Sequence, residues 1–265
     1  MKNRYFFFLI LLVAMTACKK NGSDGLPLSF IAGGCRILTM STAYTGNPSF
    51  SRFYYNEFGK LLYADGTSYT GDTTIGRQYH YTGDVLNYSW FSSSSNSSDT
   101  IFYYYDGDKR ISRTAEHNWT DTLLLSTITD FHYNQAGQVI HTLALSVMNN
   151  QFSRVDSAFF TYTGNNVTRY LMYERDAYGS VNGFSIDISY DSMKNFYKAM
   201  GMPPDMFYFW SENNITEIKY ADSADFAMSF IYSKYNPSGY PAEFLQIDRT
   251  SPPDTMKAVI TYQCK

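Results

Sequence analysis

The chain has 265 residues and a formal net charge of −3, and 18% of its residues are aromatic, with 25 Tyr and 20 Phe. Tyr, Phe, Thr and Val favour strands, and the length suits one large all-β domain. The acidic balance and the lack of any basic run exclude a dedicated nucleic-acid binder.

The chain opens with Lys2 and Arg4, then an apolar stretch from Tyr5 to Ala14, then Met15-Thr16-Ala17-Cys18. An apolar run of about ten residues is too short to span a bilayer permanently, and with a positive start and small residues before a cysteine it reads as a signal peptide over 1–17. The box resembles bacterial lipoprotein signals, with Met15 where Leu is usual. In such signals the cysteine is acylated, with palmitate-type chains, and becomes the new N-terminus. The resemblance makes Cys18 the lipidation site, and more than one acyl chain gives a stable anchor. The alternative is an ordinary secretory signal with a chance cysteine. No Asp follows Cys18 directly, which favours the outer membrane, on its periplasmic or its cell-surface side.

Residues 18–29 read as the lipidated N-terminus and a flexible tether, and residues 30–265 as a single β domain. Two further cysteines bracket that domain, Cys35 near its start and Cys264 one residue from its end. An exported protein permits disulfides. A Cys35–Cys264 bridge closes a loop of about 230 residues, and the chain-entropy account puts its contribution at no more than about 5 kcal/mol.

Tyr-rich strands ending in polar turns then recur along the chain. The clear copies are Tyr54-Tyr55-Asn56 to Gly59-Lys60-Leu61, Tyr79-His80-Tyr81 to Val85, Tyr103-Tyr104-Tyr105-Asp106 to Lys109, Tyr133-Asn134 to Val139, and Tyr162 to Val167. Weaker copies stand at Tyr190-Asp191, Trp210 to Ile215 and Tyr235-Asn236 to Tyr240, and Tyr262 opens a final half-copy. Each unit reads as strand, tight turn, strand, because Asn, Asp and Gly accept the backbone angles of tight hairpins. Past the fourth turn, alternation puts Val139, His141, Leu143, Leu145 and Val147 on one face and Ile140, Thr142, Ala144 and Ser146 on the other. Residues 191–200 depart from the pattern and are helix-compatible up to Gly201, with Pro203 and Pro204 beyond.

The Tyr-Asn/Asp-x-x-Gly-Lys/Gln-Leu/Val units resemble YD-type repeats, which form wrapped hairpin sheets. A Tyr-Asp-x-x-x-Asn-Phe segment followed by Ser-x-Asn-Asn-Ile-Thr is similar to uncharacterised Gram-negative envelope lipoproteins with a porin-like β fold. The resemblance covers most of the mature chain and brings no activity with it.

Eight hairpins give about sixteen strands. The expected fold is all-β, an up-and-down antiparallel meander closed into a flattened or filled barrel, with one short helix near 192–200. An open sheet would leave two edges, and a bridge between the chain ends favours closure. A round sixteen-strand barrel is wide enough for a water channel, so aromatic side chains and a plug at Ser192–Met206 are expected to fill it. A membrane-spanning barrel is the competing architecture.

Chemistry-bearing constellations are few. A four-residue loop would set Asp130 opposite His141, and the pair reads as a cross-strand hydrogen bond rather than half of a dyad. The patterns for zinc, calcium, phosphate-loop, nucleotide and serine-hydrolase sites are absent, so no cofactor is expected. Trp119, in the polar run Asn118-Trp119-Thr120, is the candidate ligand-stacking residue. Asp-Ser/Thr pairs before strands resemble an O-glycosylation sequon of some Gram-negative envelope proteins, at Thr100, Thr122, Ser157, Ser223 and Thr255. The expected role is a non-enzymatic, membrane-anchored binding or structural module with a glycan or envelope-protein partner. The alternatives are a carboxylate-based glycoside hydrolase and a lipid-handling barrel.

Overall fold

A computed structural model describes residues 35–44, 47–67, 74–92, 98–119, 123–148, 151–176, 178–204, 207–221, 227–249 and 254–264. Sixteen antiparallel strands form a closed barrel in simple up-and-down order. They are β1 (Cys35–Tyr44), β2 (Asn47–Tyr55), β3 (Leu61–Thr67), β4 (Thr74–Thr82), β5 (Val85–Ser92) and β6 (Ser98–Tyr105). Then come β7 (Ile111–Trp119), β8 (Leu123–Tyr133), β9 (Val139–Met148), β10 (Gln151–Thr163), β11 (Asn166–Asp176) and β12 (Val181–Lys194). The last four are β13 (Asn213–Tyr220), β14 (Ala227–Tyr235), β15 (Pro241–Asp248) and β16 (Asp254–Cys264). Strands β1 and β16 pair in the register Cys35↔Cys264, and a disulfide joins those two residues. The expected closure and bridge are both present.

The two ends of the barrel differ. The repeat turns, the disulfide and the entry of the chain into β1 lie at one end, here called the turn end, while a single turn of the same kind, Asp176–Ser180 between β11 and β12, lies at the other. Its turns repeat one chemistry. The side-chain oxygens of Asn56, Asp106 and Asn236 each accept from backbone N–H groups two and four residues on. A residue with positive φ follows at Gly59, Gly137 and Gly239, and Lys109 holds that position without being glycine, at φ 62°.

Just before each turn the repeated tyrosine points into the lumen and bonds across to the preceding hairpin. Tyr55, Tyr105, Tyr133, Tyr162, Tyr190, Tyr232 and Tyr262 donate their hydroxyls to the carbonyls of Ile37, Leu86, Ile111, Val139, Val167, Ile215 and Pro241. No chain links the strands of these pairs at this end, so each tyrosine stitches one hairpin to the next. A net stabilisation of about 1 kcal/mol per bond is the usual scale. Two of the expected anchors are corrected. Trp210 lies in the plug rather than a hairpin, and Tyr232 takes the stitching position while Tyr235 donates to Asp191 instead.

One residue beyond each tyrosine the register slips. Tyr55 faces Leu61 but Tyr54 faces Tyr63, so Leu62 is extra. Asn87, Ser112, Ile140, Thr168 and Thr216 are extra in the same way. A bulge inverts the faces, because side chains alternate with period two. The reading of β9 is corrected accordingly. Val139 is buried, whereas His141 and Leu143 face outward and Thr142 lines the lumen. His141 therefore sits opposite His132, not Asp130, and Asp130 takes the Arg113 guanidinium at 2.6 Å.

Residues 195–212 replace the tight turn between β12 and β13 and fold back into the lumen. Two four-residue helices form there, α1 (Phe196–Ala199) and α2 (Phe207–Trp210), where one was expected. Asn195 caps α1 through the Tyr197 N–H and donates to the carbonyls of Tyr208 and Ser211, closing the segment on itself. Phe196, Ala199 and Met200 are buried, and Tyr55 from the opposite wall also donates to the Met200 carbonyl at 3.0 Å. The expected plug is present and extends beyond Met206 to Glu212, whose carbonyl accepts the Asn195 N–H.

Candidate functional site

Between the plug and the wall from β4 to β10, a cleft of about 550 Å3 lies at the turn end. Its aromatic lining is Tyr81, Tyr105, Tyr133, Tyr162, Phe209 and Trp210. The four tyrosines come from the repeat, and the other two come from α2. Pro203 and Pro204 line the plug side, and the Pro204 carbonyl accepts the Trp210 indole N–H at 2.8 Å, which fixes that ring.

The rim is charged. Arg110 lies 4.5 Å from the centre of the Tyr133 ring and is paired with Asp106 at 2.7 Å and Asp108 at 3.0 Å. Hydrogen bonds hold both ends of that first pair charged, with Arg110 raised by Asp106 and the Asp106 carboxyl lowered by the Arg110 N–H and guanidinium. Lys60 donates to the Gly83 carbonyl and to Asp84, which lowers the Asp84 carboxyl. Lys109 is exposed and adds to the lowering of the Asp84 carboxyl.

Tyr81 is the exception in the tyrosine belt. Its ring occupies the repeat position, yet its hydroxyl has no hydrogen-bond partner among the described residues and opens on the cleft. Burial pushes its phenol up to about 12, so it is a neutral donor at ordinary pH. The cleft thus offers stacking faces, one uncommitted phenol and an exposed cation. Among the described residues its lining holds no pair of convergent carboxylates and no nucleophile with a base.

The residues singled out from the sequence scatter. Trp119 ends β7, away from the cleft, and its side chain lies outside the described residues, as do Cys18, Thr122 and Ser223. Thr255 is exposed on β16. Ser157 lies on the outer face of β10, with its hydroxyl 2.9 Å from His141 Nε2. His141 is held neutral by burial and by neighbouring His132, but Arg113 engages the nearby Asp130, so no carboxylate orients the ring. Thr100, the third residue of β6, is 6% exposed. Among the described residues no group of three His, Cys, Asp or Glu could hold a metal ion. The sequence signal for the cleft was the tyrosine repeat itself; nothing in it marked Tyr81 as different.

Such an architecture, a sixteen-strand up-and-down barrel with an internal plug at one end, is similar to porin-like β folds. A porin-like protein from Bacteroides vulgatus matches with a TM-score of 0.58 and 10% identity, over 86% of this chain and 98% of that one. One from Bacteroides uniformis matches with a TM-score of 0.55 and 11% identity, over 86% and 96%. Likeness at this identity establishes the fold. No protein-family model and no curated protein matches the sequence.

Proposed function

We propose that the protein is a lipid-anchored envelope barrel that binds a glycan, without turning it over, in the turn-end cleft. The observation that carries this reading is the lining of that cleft by six aromatic rings around the uncommitted Tyr81 hydroxyl. Sugars present apolar C–H faces and a fringe of hydroxyls, and such a site meets both needs at once. Anchoring rests on Cys18, which lies 17 residues before Cys35, and the chain enters the barrel at the turn end. A tether of that length reaches at most about 60 Å.

An aqueous rather than a lipid-facing barrel is supported by outward ion pairs at mid-strand. Arg52–Asp65, Arg113–Asp130 and Arg169–Asp187 stand 2.8, 2.6 and 2.8 Å apart on the outer face. An Arg or Lys on the lipid face costs about 2–4 kcal/mol at the bilayer midplane. The test is a glycan-array screen of the folded protein followed by titration of the best binder. Binding lost in Tyr81→Phe supports the cleft; no binder in the screen ends the glycan reading.

A hydrolase is the second reading, favoured by Glu116. Its carboxyl faces the lumen and is raised by burial and by Asp99, with Arg77 opposing. A raised carboxyl beside a second carboxylate is the arrangement of a glycosidase acid and its partner. Hydrolysis of the bound glycan that disappears in Glu116→Gln would establish it.

A further inference from the structure

On the lumen side of Trp210 lies a second cavity, of about 190 Å3, independent of the cleft. Six aromatic side chains line it: Phe131, Phe160, Tyr170, Phe207, Tyr208 and Trp210. The Trp210 ring meets its neighbours at steep angles. Trp210 stands edge-on to Phe160 at 4.7 Å and 87°, and to Phe131 at 6.4 Å and 83°. Tyr170 leans on Phe160 at 5.3 Å and stacks on Phe207 at 5.7 Å. The polar groups in the lining are the hydroxyls of Thr129, Thr142 and the two tyrosines, together with the Trp210 N–H, which is spent on Pro204.

A carboxylate stands at the lip. Asp156 is the next inward position on β10 beyond Ala158, which also lines the cavity, and it faces Glu174 across β11. Asp156 is 9% exposed. Its Oδ2 takes Arg154 at 2.7 Å, and its Oδ1 has no hydrogen-bond partner among the described residues. Burial and the charges of Asp156 and Glu174 together push the Tyr170 phenol, which donates to Met172 Sδ, up to about 12. Two carboxylates against one guanidinium leave this lip negative.

A buried carboxylate oxygen without a partner is costly. A cation would offset that cost, and aromatic faces attract cations through their quadrupoles. A primary ammonium could donate to Asp156 Oδ1, but the six aromatic side chains that make up most of the lining suit methyl groups better than the remaining N–H donors. A quaternary ammonium has none to satisfy, and its methyl groups fill apolar space. We propose that this cavity binds a quaternary ammonium group, with the aromatic rings around its methyl groups and Asp156 opposite its charge.

The probe is choline, compared by isothermal titration calorimetry with its neutral isostere 3,3-dimethylbutan-1-ol. Choline is expected to bind at least tenfold more tightly than the isostere to the wild-type protein. Asp156→Asn, which keeps the side-chain shape, is expected to weaken choline about tenfold and leave the isostere unchanged, with near-ultraviolet circular dichroism confirming the fold. Equal affinity for the two probes, or no choline binding at millimolar concentration, overturns the proposal. The wild-type comparison stands by itself if the variant does not fold.

Discussion

The turn end of the barrel and the upper wall of β8–β11 are built on opposite rules. At the turn end the inward positions are the repeat tyrosines and the buried Leu61, Leu86, Ile111, Val139 and Val167. Above the bulges, in β8–β11, the lumen receives Thr129, Thr142, Ala144, Asp156 and Glu174, while Leu143, Leu145, Val155 and Leu171 face outward. The same strands therefore change polarity part-way along, and one bulged residue per hairpin is the switch. The comparison teaches that stability is concentrated at the turn end, where disulfide, plug and tyrosine bonds coincide, and that the upper lumen is left free for polar groups.

The comparison can be broken most severely at the bridge. Replacing Cys35 and Cys264 together by Ser should lower stability by as much as about 5 kcal/mol, read from denaturant unfolding under oxidising conditions. A loss below about 1 kcal/mol would remove the disulfide from the account. The plug comes next. Phe196→Ala, at 2% exposed, should cost about 3–5 kcal/mol, whereas Phe159→Ala on the outer wall, at 44% exposed, should cost well under half of that. Similar losses at the two sites would mean that the turn end is not the stable half.

Alkaline titration sharpens the same contrast. Burial pushes the phenols of Tyr133 and Tyr190 up to about 12, against about 10 in the unfolded chain. A raised folded-state value means the folded form holds its proton more tightly. The belt's contribution is therefore complete below pH 10 and is lost as pH rises from 10 through about 12. Phenolate absorbance should rise late and together with loss of circular dichroism; gradual ionisation of a still-folded protein would contradict this. The smallest effect is at Lys109. Lys109→Gly removes a left-handed strain of about 1–2 kcal/mol, part of which is offset by the greater chain entropy of glycine. A gain of up to about 1 kcal/mol is expected in the thermal midpoint analysis, and a loss would show that the Lys109 side chain stabilises the turn.

Strand number, up-and-down order, closure by Cys35–Cys264 and the plug were all legible, because each leaves a chemical mark: Tyr-Asn/Asp turns, paired cysteines, a break in the repeat. The bulges were not. Leu62, Asn87, Ser112, Ile140 and Thr168 share no residue type, since a bulge is fixed by what pairs on either side of it. The loop after Tyr133 holds five residues rather than four, and with the bulge at Ile140 this moves His141 from opposite Asp130 to opposite His132; missing the bulge also put Val139 on the same face as Leu143. The cleft was half legible. Its tyrosines stood out as a repeat, but that seven hydroxyls are spent on carbonyls and Tyr81's is not depends on where each carbonyl falls. Trp210 was read as a hairpin anchor because Trp210-Ser211-Glu212-Asn213-Asn214-Ile215 keeps the repeat's spacing, while its ring serves as the partition between the cleft and the cage above.

Two neighbouring tyrosines give the most direct test of the ligand-binding account. Tyr81→Phe and Tyr105→Phe remove one hydroxyl each from the same cleft. The account predicts that Tyr81→Phe leaves unfolding free energy unchanged and weakens the best glycan binder about tenfold, whereas Tyr105→Phe, which loses its bond to Leu86, costs about 1 kcal/mol of stability. Equal glycan affinity in Tyr81→Phe and the wild type would contradict it.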